Sequence, residues 1–219
     1  MFEKQKVIAI DGPSASGKGT VASRVAAALG FDYLDSGALY RLTALYAQKE
    51  NVEWTDEADV AKLAENLPAE FAGQKVLLNG EDVSGQIRSE TVGMGASAVA
   101  QLPKVRTALL QRQRDFLTDK GLVADGRDIG SVIFPDAALK VFLTASAQVR
   151  AERRAKQIGL PCEGVEFYRI LSDIEVRDEA DRRRAVAPLQ QLPDAQLLDT
   201  TDLGIEESVK KVLDWYSKV

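Results

Sequence analysis

The 219-residue sequence contains no histidine. That absence excludes every mechanism built on an imidazole base, including serine and cysteine triads and most catalytic zinc sites. Chemistry is left to carboxylates, hydroxyls, lysine, arginine and backbone amides. Cysteine is nearly absent too: Cys162 stands alone, which rules out an internal disulfide and suggests neither a metal cluster nor a secreted scaffold, so a cytoplasmic setting is expected. No apolar run approaches the roughly 18 residues of a membrane span. The N-terminus offers only Val7–Ile10, and neither a signal peptide nor a membrane partner is expected. An excess of positive charge is also missing. With 28 basic and 33 acidic side chains the net charge is −5, and binding to a nucleic-acid polymer, which needs a basic field, is not expected. There are no internal repeats and no low-complexity tracts.

What is present fits one full-sized domain, with room for an insert. A hydrophobic content of 45% can build a core without covalent staples. The charge is uneven, because Ser146–Arg184 carries nine of the basic residues against eight of the acidic ones. A locally arginine-rich segment in an acidic chain points to a small anionic ligand held in one place.

Lys6–Asp11 reads as a buried strand that stops at Gly12-Pro13, and Lys18–Leu29 as a helix with Val21, Val25, Ala28 and Leu29 on one face and Gly30 after it. Further helices are expected over Gly37–Lys49, Asp56–Asn66, Pro103–Lys120 (with Val105, Leu109 and Phe116 inward), Ala147–Ile158, Val165–Arg183 and from Ile205 to about Tyr216. Leu122–Asp125, Leu139–Leu143 and Leu197–Leu198 read as further parallel strands. Between Ala69 and Gly85 the pattern changes. Phe71, Gly73-Gln74, Lys75–Leu78, the Asn79-Gly80 turn and Val83 suggest a small antiparallel hairpin.

The strongest chemical signal is Gly12-Pro13-Ser14-Ala15-Ser16-Gly17-Lys18-Gly19-Thr20. Glycines let backbone N–H groups curl around phosphate oxygens, Lys18 adds a charge, and the following helix contributes its positive end. The strict phosphate-cradle pattern has Ser or Thr directly after the lysine, whereas here Gly19 intervenes. In Asp35-Ser36-Gly37-Ala38-Leu39-Tyr40-Arg41, Ser36 is placed to cap a helix that carries Arg41. Leu122–Asp125 leads straight into Gly126-Arg127-Asp128. Ligands of α/β sheets bind outside the carboxyl ends of strands, so Asp125 can reach a Mg²⁺ shell while Arg127 faces phosphates. The alternative is that the acids merely hold Arg127 in a structural ion pair. If helical, Arg177, Asp181 and Arg184 share one face at i, i+4 and i+7, two guanidiniums around a carboxylate. Arg150, Arg153 and Arg154 line another helix, where pairing with Glu152 on a solvated face is the plain alternative.

Together, Gly12–Thr20, Asp35–Arg41, Ala124–Gly130 and Arg177–Leu189, in that order, resemble the bacterial cytidylate kinases, and the resemblance covers essentially the whole chain. It implies an α/β fold: a three-layer α/β/α core of the P-loop NTPase type with a parallel sheet, a small antiparallel β insert and a helical lid. The core would be residues 1–62, 101–149 and 164–219, the monophosphate-binding insert about 63–100, and the lid about 150–163. It implies transfer of the γ-phosphate of ATP to CMP or dCMP with Mg²⁺. Lys18 and Arg127 would be catalytic, Gly12–Thr20 would bind the ATP phosphates with Arg150 and Arg154 from the lid, and Thr20 and Asp125 would serve the metal. Ser36, Arg41, Ser97, Arg106, Arg127, Asp128, Arg177, Asp181 and Arg184 would bind CMP. A monomer is expected. Ala15 departs from the family, where glycine is common, and Gly19 leaves the hydroxyl–Mg²⁺ contact open. Two other readings remain: a P-loop kinase for another monophosphate or a small metabolite, and a nucleotide-dependent switch, although no guanine-reading Asn-Lys-x-Asp motif is present.

Overall fold

In the computed structural model, which describes residues 5–72 and 75–219, the first strand is β1, Gln5–Asp11, buried from Val7 onward. A run apolar on both faces suits the centre of a parallel sheet, and there it lies. It pairs in parallel with β6 (Leu122–Gly126) on one side and with β7 (Ala137–Thr144) on the other. Adding β2 (Asp32–Asp35) and β8 (Gln196–Asp199) gives a five-stranded sheet ordered β2-β6-β1-β7-β8. The chain reverses its direction of travel across the sheet at β1, and at such a switch point α/β sheets bind their ligands beside the carboxyl ends of the strands.

Helices flank this sheet. Helix α1 (Lys18–Leu29) buries Val21, Ala22, Val25 and Ala26, and Gly30 closes it with φ 66°; α8 (Ile205–Tyr216) adds Val209 and Val212 to the same core beside Ile8, Val141 and Leu143. A second cluster forms where α6 (Ala147–Gln157) meets α7 (Gly164–Arg183), through Ala151, Ala155, Phe167 and Ile174. No described helix is long and apolar enough to cross a membrane.

The chain divides into two compact units, one made of residues up to Leu34 with Phe116–Val219, the other of Asp35–Asp115. The second holds α2 (Ser36–Lys49), α3 (Glu57–Glu65), α4 (Glu90–Val99) and α5 (Pro103–Arg114), with the antiparallel strands β3 (Ala69–Ala72), β4 (Lys75–Leu78) and β5 (Glu81–Asp82). Asn79 and Gly80, at φ 51° and 78°, make the turn between β4 and β5, the conformation a tight hairpin needs. The Gly73-Gln74 pair of the expected hairpin lies outside the described residues.

Several local expectations need correction. The helix beginning at Pro103 ends at Arg114, not Lys120. Phe116 is therefore outside it, and Thr118 gives its hydroxyl to Asp32 at 2.6 Å instead of continuing the spiral. Asp35, not Ser36, caps α2, its Oδ1 accepting the Ala38 amide at 3.1 Å. Helix α4 carries no periodic apolar signal, and its Gly95 serves packing: a Cβ there would lie 2.5 Å from the Trp54 ring. Strand β2, Asp-Tyr-Leu-Asp, is too short and too acidic to stand out.

Candidate functional site

The loop read from the sequence as a phosphate cradle begins where β1 ends. Gly12 is pressed against β7, and a Cβ there would fall 2.0 Å from the Leu143 carbonyl oxygen. No side chain fits. Further on, Ala15 and Gly17 take left-handed conformations, φ 56° and 90°, that wind the loop into α1. For Ala15 this costs about 1 kcal/mol, and its methyl packs in return against the α6–α7 cluster. The first turn of α1 has no side-chain cap, so its amides stay available to an anion. Lys18 Nζ donates to the Pro13 carbonyl at 3.2 Å. Ser16 is buried, and its Oγ finds no hydrogen-bond partner among the described residues.

Arginines hold this loop from behind. Arg150, 4% exposed, forms a bidentate pair with Asp178 at 2.9 and 2.6 Å and also donates to the carbonyls of Ala145 at 2.9 Å and Ser14 at 3.1 Å. Arg153 donates to the Ser16 carbonyl at 3.1 Å and to Thr200 at Oγ1 and O, 3.0 and 2.6 Å. Tying the Ser14 and Ser16 carbonyls to guanidiniums fixes their peptide planes. Neither arginine pairs with Glu152, which instead accepts from Gln148. Arg154, by contrast, bonds locally, donating to Gln157 at 3.1 Å on an exposed face.

At the carboxyl end of β6, Asp125 is buried and its Oδ2 accepts the Tyr33 hydroxyl at 2.7 Å. Arg127 follows, joining two elements: Nη2 donates to Ser14 Oγ at 2.8 Å and Nε to Asp181 Oδ2 at 2.5 Å. Burial alone would lower its pKa, but the carboxylates of Asp181, Asp125 and Asp178 together outweigh that and keep the guanidinium charged. The acid that pairs with Arg127 is thus fifty-four residues away, not one of its two sequence neighbours. Asp128 is buried, and beyond it a single wide helical turn spans Ile129–Ile133. That turn rests on Asp11, whose carboxylate oxygens accept the Ile129 and Gly130 amides at 2.8 Å each. Burial pushes the Asp11 carboxyl up to about 6 against the pull of those two amides. Asp11 was legible as an acid ending a buried apolar strand, but its partner loop was not.

Helix α7 supplies Arg177 and Asp181, one turn apart. Arg184 does not continue their face. It caps the helix at φ −54°, ψ 133° and donates to the Ala187 carbonyl at 2.8 Å. The turn back, with Ala187 at φ 51° before Pro188, lets the Leu189 amide bond the Asp181 carbonyl at 2.9 Å, so the i+7 spacing does not apply. In the second unit, Arg106 lies buried with its guanidinium 5.9 Å from the Tyr40 ring centroid. Arg41 donates to the Ile87 carbonyl at 3.1 Å, Ser97 to Gly93 at 3.1 Å, and Ser36 is buried in the first turn of α2.

The residues near the cradle fit magnesium by their chemistry. Asp125 and Thr20 offer hard oxygen donors, and the described residues contain no group of three or more Asp, Glu, Cys or His able to cage a metal. Mg²⁺ in phosphoryl transfer typically takes one or two protein oxygens and fills its shell with phosphate and water.

The cytidylate kinase family model matches residues 8–218. The chain is 76% identical over 218 residues to a cytidylate kinase of Neisseria gonorrhoeae, covering 100% of both sequences. It is 58% identical to one of Chromobacterium violaceum over 212 residues, 97% of this chain and 96% of that one. Among solved structures it resembles an uncharacterized protein of Eubacterium ventriosum (TM-score 0.54, 11% identity, covering 98% of this chain and 100% of that one) and a gluconokinase of Sinorhizobium meliloti (TM-score 0.50, 18% identity, 97% and 91%); these likenesses concern the fold. A family match running the length of the sequence, and 76% identity to a relative covered from end to end, give one assignment: the chain belongs to the cytidylate kinase family.

Proposed function

We propose that the protein transfers the γ-phosphate of ATP to CMP or dCMP, giving ADP and CDP or dCDP. The observation that carries this reading is Arg127, whose guanidinium bonds the cradle at Ser14 and the acidic face of α7 at Asp181. One cation there serves donor and acceptor phosphates alike.

The acceptor is a phosphate oxygen, largely ionised at neutral pH because the second pKa of a phosphate monoester is about 6. No strong base is required, and a chain without histidine can do the chemistry by positioning and charge neutralisation. The cradle amides of Gly12–Thr20 bind the ATP phosphates, Lys18 follows the transferring group, and Arg127 neutralises its equatorial oxygens. Asp125 and Thr20 hold the magnesium side; when bound, Mg²⁺ offsets phosphate charge. Arg177 and Asp181 bind the sugar and phosphate of CMP, Arg41 its phosphate, and Ser36, Ser97, Arg106, Asp128 and Arg184 complete its binding set. Segment 150–163 acts as the lid through Arg154, while Arg150 braces the loop beneath it, and 63–100 is the monophosphate-binding insert. The protein acts as a monomer in the cytoplasm.

Specificity follows from polar groups that a wrong base leaves unpaired, a penalty of about 1–3 kcal/mol for each. ADP release from MgATP, followed with CMP, dCMP, UMP, AMP and GMP in turn, tests the reading. CMP and dCMP should react fastest and UMP more weakly. Equal use of AMP would reject the acceptor, and slow hydrolysis indifferent to any acceptor would favour a nucleotide switch.

A further inference from the structure

The strict phosphate-loop pattern has a hydroxyl side chain directly after its lysine, and this chain has Gly19 there. The structure shows what occupies that space. A Cβ built on Gly19 would lie 3.3 Å from the Tyr33 hydroxyl and 3.6 Å from Asp125 Oδ2. The Tyr33 hydroxyl itself donates to that same Oδ2 at 2.7 Å. Gly19, Tyr33 and Asp125 thus meet at one point, with the phenol of β2 reaching from the sheet edge into the place the missing side chain would claim. Strand order explains the reach: β2 adjoins β6 directly, and Asp125 sits in β6.

We propose that Tyr33 is the positioning residue of the magnesium side of the site, its hydroxyl fixing the Asp125 carboxylate in place of a hydroxyl at position 19. This rests on the reading of Asp125 as serving the metal. A carboxylate with one oxygen pinned by a donor keeps a single orientation, and its other lone pairs are presented the same way each time Mg²⁺ arrives with nucleotide. Partners of this kind, one step removed from a metal, are typically worth about 10- to 100-fold in metal affinity. A Cβ at 19 would sit 3.3 Å from the phenol oxygen, close enough that the phenol must give way by a few tenths of an ångström.

The test is the affinity of Mn²⁺ for the protein–ADP complex, read from the electron paramagnetic resonance of the free ion, with CMP affinity and the melting temperature measured alongside. Tyr33→Phe keeps the ring and its packing and should weaken Mn²⁺ about 10-fold, with CMP affinity unchanged. Adding Gly19→Ser to Tyr33→Phe supplies a hydroxyl where the phenol oxygen was and should recover most of the loss. Gly19→Ser alone should weaken Mn²⁺ by less than Tyr33→Phe does, because the new side chain only shifts the phenol. If Tyr33→Phe binds Mn²⁺ like the parent while Asp125→Asn does not, Tyr33 has no positioning role and the inference is overturned by itself. If Asp125→Asn also binds like the parent, the metal reading of Asp125 fails and takes this one with it. A loss in Tyr33→Phe matched by an equal loss of CMP affinity, and not restored by Ser at 19, marks a general structural defect and equally overturns it.

Discussion

Replacing Arg127 by alanine removes three things at once, and the structure says how to separate them. The first is the charge held against the transferring phosphate, for which an arginine so aimed is worth about 10³-fold in rate, or about 4 kcal/mol. The second is the tie to Ser14 at 2.8 Å, a charge-assisted bond worth about 1.5–3 kcal/mol. The third is the partner of Asp181, whose side chain is only 19% exposed. Its carboxylate, left without its cation, should destabilise the fold by about 1–3 kcal/mol. The double variant Arg127→Ala with Asp181→Asn removes that orphaned charge. Rapid-quench measurement at saturating MgATP and CMP, with urea denaturation of each variant, gives both quantities. The single variant should lose about 10³-fold in kcat and some stability, and the double variant should regain the stability and none of the rate. MgATP affinity should fall far less than kcat. A kcat within severalfold of the parent, or one restored along with stability, would refute the assignment and make Arg127 a purely structural ion pair.

Three further outcomes follow from local geometry. The folded Asp11 carboxyl keeps its proton to about pH 6 where the unfolded chain releases it near 3.8, so the folded state binds more protons in between. Stability therefore falls as pH rises through that window, by about 3 kcal/mol at roughly 1.4 per unit; the difference between the parent and Asp11→Asn, titrated by denaturation from pH 4 to 7, should show this slope, and a flat difference contradicts it. Gly12→Ala places a methyl within 2.0 Å of the Leu143 carbonyl oxygen, which nothing flexible can relieve. It should shift the loop and abolish ATP binding in calorimetry, and near-parental affinity would show the contact is softer than drawn. Ala15→Gly relieves about 1 kcal/mol of left-handed strain and forfeits about 0.8 kcal/mol of methyl burial. Its unfolding free energy should stay within about 1 kcal/mol of the parent, and a loss above about 2 kcal/mol would mean the methyl packing dominates.

What the sequence disclosed and what it withheld divide along physical lines. Val7–Ile10 and Lys18–Leu29 were legible because a both-sides-buried strand and a one-sided helix leave opposite hydrophobic periods, and Gly12, Gly17 and Gly30 punctuate them. The path of the 12–17 loop was legible from its small residues, which allow the left-handed turns at Ala15 and Gly17 and the close approach of Gly12 to β7. Partnerships were not. That Arg127 chooses Asp181 over Asp125 and Asp128, that Arg150 lies buried against Asp178, and that Asp11 anchors the Ile129–Ile133 turn all depend on which strands and helices pack together. Sequence spacing carries no trace of it. Arg184 failed the helical spacing because the chain leaves α7 one residue earlier, and α4 hid because its Gly95 answers to Trp54 rather than to a period.

The central claim is that the phosphoryl group passes straight from one bound nucleotide to the other, with no residue of the protein ever carrying it. Turnover of CMP with ATP made chiral at the γ-phosphorus by isotopic and sulfur substitution tests this most directly. A single in-line displacement predicts inversion of configuration at that phosphorus in the product. Retention would require two displacements through a phosphorylated side chain, and would contradict the account.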